Sequence, residues 1–554
     1  MTAREGFGDS RRATRLEVAP PRSETMNDED RAAAADLIRR TMRRDRLPGV
    51  SVAVVDRDGV RYAEGFGARD LAGNRPATPE TLYGVGSVTK SVTALAIAQL
   101  AEAGMLDFDD PVSDHLDVDL GDDPDDPIRL RHLLSHASGV PSLATSEALI
   151  GRRLRRDTDT LPLSTEADFR AHVEGAVGGD GRGDDSRGDD TDGAGSVGGG
   201  SVGVDAAGGP TTAGTEHVGA PGERFAYSNE GYVLLGDVIE ACTGRPYDRY
   251  VAEHVLDPLG LDRATFDDTA FAMDDDHATM YLREDRGSGP AAAHARGGPA
   301  GDAGGRDDLV AASVPVRELS RPAGGLFASV EGLGRYARLL LNDGSLDGRE
   351  VVSPESVAAL TEGRVDTPGG PYGFGWRTRE ACGRELVGHS GSIAVSTAYV
   401  GFSPEAGIGV AVAANAAPDY PLVRLGEGVF ACALGEEPAE AVPFFERRRR
   451  FDRLTGEYAS YRGVKRAVVA RDGGGLRLEL AGPIGGESLP LTEAVGDDPH
   501  AFTTPNEAGE RVPVEFRVGD GTGDDAAPGA DRGIDLLYDR WHLHKVADDP
   551  EASL

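Results

Sequence analysis

The sequence predicts an α+β fold followed by a separate all-β unit, and three observations predict it. An alternating apolar hairpin stands near the start (49–67), and helical patterns occupy the middle (about 92–101, 230–243 and 329–342). Strand patterns return at 372–378, 385–390, 395–402 and 408–414. Helices enclosed between an early hairpin and late strands imply one antiparallel sheet built from both ends of the segment and flanked by helices. Farther on, "RAVVAR", "GLRLEL", "VPVEFRV" and "IDLLYDRWHLHKV" recur between Gly/Asp turns, the spacing of a small β-barrel or sandwich over about 452–547.

In chain order, residues 1–26 are turn-rich and charged without periodicity, so a disordered tail is expected, with Met26 a second candidate initiator. The first domain is expected over 27–440. Asn27 followed by Asp28, Glu29 and Asp30 reads as a capped helix start running to about Arg44. "GVSVAVVDRDGVRYAEGFG" turns at Asp58-Gly59 as a hairpin does. Val92, Leu95, Ala96, Ile97, Leu100 and Ala101 then give a helix apolar nearly all round, ended by Gly104, which belongs at the centre of the domain. Stretches 177–215 and 285–308 are Gly/Asp/Ala-rich and are expected as disordered surface insertions. The first lacks the regular apolar position of a calcium-binding nonapeptide repeat.

At 554 residues the chain exceeds one ordinary domain. A formal charge of −36 argues against nucleic acid as a partner, because a phosphate backbone needs a basic face. Of 58 basic residues only Lys90, Lys465 and Lys545 are lysines. A GC-rich genome accounts for the arginines but not for the charge, so a halophilic protein is expected. The run Arg447–Arg450 is expected to pair with carboxylates. Cys242, Cys382 and Cys432 are odd in number and far apart, which leaves no disulfide framework or metal knuckle and suggests buried free thiols. Arg11-Arg12 lacks the apolar segment of a twin-arginine signal, and no run of about 18 apolar residues occurs, so a cytoplasmic protein without a membrane span is expected. Oligomeric state is not indicated.

The chemistry concentrates in "ETLYGVGSVTKSVTAL" (80–95). Gly84 to Ser91 nearly spells the phosphate-binding loop, but Thr89 stands where glycine must let the phosphate approach, and the preceding loop is polar rather than a buried strand. Ser87-x-x-Lys90 instead spells a nucleophile with its base. Lysine can act as a base after losing its proton, whereas arginine cannot, so a lysine-poor chain retains one where a base is needed. Ser87 at the helix start and Lys90 one turn on share a face, beside the positive end of the helix dipole.

Two further motifs accompany it: Tyr227-Ser228-Asn229 before an apolar helix, and His389-Ser390-Gly391 on a late strand. Together, Ser87-x-x-Lys90, Tyr227-x-Asn229 and His389-x-Gly391 resemble, in order, the motifs of the class C β-lactamase-like serine hydrolases, which include penicillin-binding D-peptidases and esterases. "LRHLLSHASGVPS" (130–142), "PAGGLFASVEGLGRYARLLL" (322–341) and "YGFGW" (372–376) are similar to the same family, over about 31–435. The resemblance implies a β-lactamase/transpeptidase-like antiparallel sheet flanked by helices, with a helical subdomain. The tail looks like the lipocalin-like β-barrel of some archaeal and bacterial members.

The resemblance also implies an acyl-enzyme on Ser87, with Lys90 and Tyr227 handling protons. Asn229, His389 and Gly391 would contact substrate, and the backbone N–H groups of Ser87 and Ser392 would form the oxyanion hole. His389 stands where β-lactamases have lysine, so a substrate carboxylate is gripped less surely. Amide or ester hydrolysis of a small or peptidic substrate is therefore expected, as in D-amino-acid peptidases or esterases. The alternatives are a β-lactamase and a non-catalytic penicillin-binding-like protein. No metal or cofactor is expected. His132 and His136 have i, i+4 spacing without the glutamate of a metalloprotease motif. Ser390 lies in an incomplete G-x-S-x-G followed by strand pattern, so it is not expected to be the nucleophile. Trp376 and Trp541 read as core.

Overall fold

The structure, a computed structural model, describes residues 25–140, 217–283, 309–314, 318–482, 485–496, 498–519 and 533–548, with isolated positions 142, 150, 151, 154, 169 and 173. The expected insertions at 177–215 and 285–308, and the tail to residue 24, lie outside the described residues.

Seven antiparallel strands form the main sheet, in the order Arg377–Ala381, Arg384–Ser392, Thr397–Ser403, Ile408–Ala414, Gly49–Asp56, Val60–Asp70 and Arg75–Pro76. The first hairpin thus sits beside the last strand, with Val52 opposite Val412 and Val54 opposite Val410. Strand side chains alternate between faces. Val50, Val52 and Val54 enter one core with helices Asp28–Asp45 and Val423–Ala433, while Ala53 and Val55 enter the other with Val330–Leu341 and the helical lobe. Burial on both faces explains why Gly49–Asp56 reads as an uninterrupted apolar run. Asn27 caps the first helix by accepting from the Asp30 N–H. Helix Thr89–Glu102 is buried on almost every side, as a helix without a polar face must be.

The expected strand at 372–378 is corrected. Its pairing begins at Arg377, and "YGFGW" is a turn in which Gly375 has φ +75°. A Cβ there would lie 3.0 Å from both the Lys90 carbonyl oxygen and the Ser91 Cα, so the segment packs against the central helix instead of extending the sheet.

After helix Pro443–Leu454 the chain closes an eight-stranded antiparallel barrel, from Gly456–Ala459 through to Trp541–Asp548, which pairs back onto the first strand. Phe451 and Leu454 of the helix join Tyr458, Val469, Leu478, Phe502, Phe516, Leu536 and Leu543 in the barrel core. In the arginine run, Arg447 and Arg450 pair with Glu493, Arg449 approaches Glu440, and Arg448 lies over the Tyr420 ring. All three cysteines are free, but only Cys432 is buried; Cys242 and Cys382 are half-buried. Trp376 is core, whereas Trp541 packs at the edge of the barrel core.

The three lysines are all buried, at 0% (Lys90), 6% (Lys545) and 9% (Lys465) exposure. Lys545 donates to the Arg453 carbonyl at 2.7 Å, and the Lys465 ammonium lies 5.2 Å from the Trp541 ring centroid. No helix among the described residues is long and apolar enough to cross a membrane.

Candidate active site

Ser87 sits in a single 3-10 turn, Gly86–Val88, that leads into helix Thr89–Glu102. The serine is half-buried while Gly86 and Val88 beside it are buried. Gly86 has φ +54°, a conformation glycine adopts without strain. Thr89, the residue that spoils the phosphate-loop reading, ties this turn down: its hydroxyl donates to the Gly86 carbonyl at 2.7 Å and accepts from the Leu326 N–H at 3.1 Å.

Lys90, in the first turn of the helix, brings its Nζ to 3.1 Å from Ser87 Oγ, 2.7 Å from Asn229 Oδ1 and 2.6 Å from the Ala323 carbonyl oxygen. The same nitrogen lies 5.0 Å from the Tyr227 ring centroid and 5.5 Å from that of Tyr232. The two carbonyl oxygens can only accept hydrogen bonds, whereas the serine hydroxyl can also donate. Lys90 Nζ is thus held against the nucleophile by two carbonyl acceptors and the serine hydroxyl.

Tyr227 and Asn229 flank Ser228, which caps helix Asn229–Thr243 by accepting from the Gly231 N–H. One residue, His136, brackets Tyr227. Its carbonyl accepts from the Ala226 N–H at 2.7 Å, its Nδ1 accepts from the Ser228 N–H at 3.1 Å, and its ring lies 4.2 Å from the Tyr227 ring. Because Nδ1 accepts, the ring hydrogen is on Nε2, which has no hydrogen-bond partner among the described residues. Burial first, then the charge of Lys90, holds His136 well below its ordinary pKa. Its φ of +56° is unusual for histidine, a sign of how firmly the surroundings hold it. His132 is likewise a loop partner, with Nδ1 accepting from the Arg129 N–H.

His389, on strand Arg384–Ser392, faces the same cluster. Its Nδ1 donates to the Ser390 carbonyl at 2.8 Å, so its Nε2 must accept from the Tyr372 hydroxyl at 2.9 Å. Burial, with Lys90 second, pushes its pKa down to about 3, so it is a neutral hydrogen-bonding group at any ordinary pH. Its ring carries no net charge near neutral pH.

Gly391 brings strand Arg384–Ser392 against the serine turn. A Cβ there would lie 2.0 Å from the Val85 carbonyl oxygen and 2.5 Å from Ser87 N, while a Cβ on Gly86 would lie 2.5 Å from Ser392 N. The two amides expected to bind an oxyanion thus lie on backbones that only glycine allows so close. Ser390 is half-buried on the strand.

The structure gathers Ser87, Lys90, Tyr227 and Asn229 around one amine, with His136 bracketing the tyrosine, and sets Gly391 and Ser392 against the Ser87 turn. Sequence reasoning missed the Ala323 carbonyl and the parts played by Tyr232 and Tyr372, and it expected His136 to pack or hydrogen-bond a loop without naming Tyr227 as its neighbour. Their signals were "SHASG", "PAGG" and "YGFGW", noticed as family-like but given no role.

A family model described as Beta-lactamase matches residues 34–172 and 205–427, and one described as Pab87 octamerisation domain matches 438–544. Protein flp of Staphylococcus aureus (strain MW2) is 26% identical over 386 residues, covering 69% of this chain; the match spans 63% of that relative's length. The octameric penicillin-binding protein homologue from Pyrococcus abyssi is 30% identical, with TM-score 0.74 over 93% of this chain and 100% of that one. A D-stereospecific amidohydrolase from Streptomyces sp. shares the fold at 24% identity, with TM-score 0.51 over 73% of this chain and 98% of that one.

Proposed function

The chain belongs to the beta-lactamase family, and on that premise we propose that it is a serine hydrolase forming an acyl-enzyme on Ser87. Its substrates are small or peptidic amides or esters, of the D-amino-acid peptidase or esterase type. The observation that carries this reading is the placement of Lys90 Nζ, held by two carbonyl oxygens 3.1 Å from Ser87 Oγ, where the amine in its neutral form would take the serine proton.

In the proposed reaction Ser87 Oγ bonds to the carbonyl carbon as its proton passes to Lys90. The carbonyl electron pair moves onto oxygen, where the Ser87 and Ser392 N–H groups meet it. Tyr227 passes a proton to the leaving group as the scissile bond breaks and takes one in turn from Lys90, which returns to the neutral form. Water then attacks the acyl-serine, its proton passing through Tyr227 and Lys90 to Ser87 Oγ as the ester bond breaks and the acid product leaves. Asn229 holds Lys90 through Oδ1, which leaves Nδ2 for a substrate carbonyl.

The neutral His389 favours the peptidase and esterase branches over β-lactam hydrolysis. With a pKa of about 3 and both ring nitrogens engaged, by the Ser390 carbonyl and the Tyr372 hydroxyl, it offers a substrate carboxylate neither a charge nor a donor.

We also propose that the chain assembles through its barrel, as the name of the matching domain and the octameric homologue suggest. Exposed Tyr461, Val464, Val468 and Val546 lie on or beside three adjacent barrel strands and would supply an apolar contact, which light scattering of the purified protein would test.

The reaction is tested by mass spectrometry of the intact, folded protein after a fluorophosphonate or penicillin-type probe in high salt. One adduct, mapped to Ser87 and absent from Ser87→Ala, is expected. Folded protein without an adduct at Ser87 would end the covalent reading.

A further inference from the structure

The last two barrel strands, Ile534–Tyr538 and Trp541–Asp548, carry a side-chain cluster apart from the serine site. Along "WHLHKV" the alternation of a strand turns Leu543 into the barrel core, fully buried, and His542 and His544 outward on one face. The hairpin register sets Asp535 directly opposite His544. Its carboxylate then reaches both rings: Oδ2 is 2.9 Å from His542 Nε2 and Oδ1 is 2.7 Å from His544 Nδ1. The two ring centroids are 4.7 Å apart.

We propose that Asp535, His542 and His544 form a binding site for a divalent transition-metal ion of the zinc class on the outer face of the barrel. One ligand atom from each residue lies within 4.8 Å of the other two. Bonds of about 2.0–2.1 Å in tetrahedral geometry space the donor atoms by roughly 3.3 Å, so a modest closure of exposed side chains completes three coordination positions. The fourth faces solvent and takes water. Two imidazoles with one carboxylate suit zinc, cobalt, nickel or copper rather than magnesium or calcium, which take all-oxygen shells.

The charges nearby permit it. Arg517, opposite Asp535 on the adjoining strand, is held by Glu515 at 2.8 Å, and a chain of formal charge −36 concentrates cations near its surface. Binding replaces the hydrogens that now lie between each imidazole and the carboxylate. Each moves to the far ring nitrogen. The site plays no part in the serine chemistry and does not depend on it.

The test uses the full-length protein, stripped with chelator and titrated with Co²⁺ and Zn²⁺ in high salt. One Co²⁺ per chain with a visible d–d absorption band is expected, displaced by Zn²⁺. His542→Gln or His544→Gln, both at exposed positions, should weaken binding by roughly 100-fold, because each removes one of three ligands. No band up to millimolar Co²⁺, or equal binding by the double glutamine variant, would overturn the proposal. The second outcome would assign the metal to the acidic surface at large.

Discussion

Replacing Gly391 by alanine tests whether the proposed oxyanion hole depends on the contact between the late strand and the serine turn. The added Cβ would begin 2.0 Å from the Val85 carbonyl oxygen, 2.5 Å from Ser87 N and 2.8 Å from Val88 N, all of them backbone atoms. A methyl carbon rarely comes within about 3.0 Å of such atoms, so strand and turn must separate by about 1 Å. A displacement of that size in a positioned site costs about 100-fold in rate. Overpacking of this kind typically costs about 1–3 kcal/mol of stability, which a protein with a large core can survive. The rate of Ser87 labelling by a fluorophosphonate, read beside the melting temperature, separates the two effects. Gly59→Ala is the control, since a Cβ there has nothing within 4 Å. Labelling by Gly391→Ala within threefold of the parent, in folded protein, would refute the idea that this approach builds the hole.

Two further outcomes are expected. His132, His136 and His389 stay neutral when folded, to about pH 4, well below the ordinary value, and to about pH 3 respectively, whereas in the unfolded chain each is protonated near its ordinary value of 6.5. From pH 6.5 down to about 4 the unfolded state therefore binds more protons, so these groups stabilise the fold fully above that range and lose their contribution as pH falls. Well below pH 6.5 His389 alone contributes a limiting slope of about 1.4 kcal/mol per pH unit, and His132 and His136 act in the same direction. Urea midpoints should fall little between pH 7.5 and 6.5 and more steeply from 6.5 to 5.5, and His132→Gln should reduce that fall. At the Tyr227 bracket, His136→Asn tolerates the left-handed backbone and can still accept from the Ser228 N–H, so labelling of Ser87 should persist within roughly fivefold. His136→Leu strands that N–H and should lose roughly 50-fold in kcat with little change in KM; equal effects of the two variants would contradict a bracketing role.

Much of the sheet and of the nucleophile turn was legible because periodicity and motif agreed. Gly49–Asp56 carries its two-faced burial as an apolar run, and Ser87-x-x-Lys90 stands before a helix with no polar face. The segment Tyr372–Trp376 misled because its aromatic and glycine residues look like strand, although Gly375 needs a positive φ that strand pairing does not supply. Helices Val423–Ala433 and Pro443–Leu454 were passed over, the first for its glycines and the second for its arginine run. The bracket at Tyr227 could not be read at all, because it joins residues 90 and 92 positions apart through a carbonyl and a ring nitrogen. Likewise, His389 was expected only to grip a substrate carboxylate less surely than lysine. Only its burial and its bond from Tyr372 reveal it as a permanently neutral group.

The burial of every lysine has a consequence for a protein proposed to handle acyl groups. Activated acyl donors attack exposed amines without regard to sequence, and side-chain amines on most proteins are lysines at the surface. Here the positive charges at the surface are guanidinium groups, which stay protonated and do not compete as nucleophiles. An amine-directed reagent would leave the lysines of the folded molecule almost untouched and would label them as it unfolds. An acyl donor, whether probe or substrate, would meet no exposed lysine amine before it reached the serine.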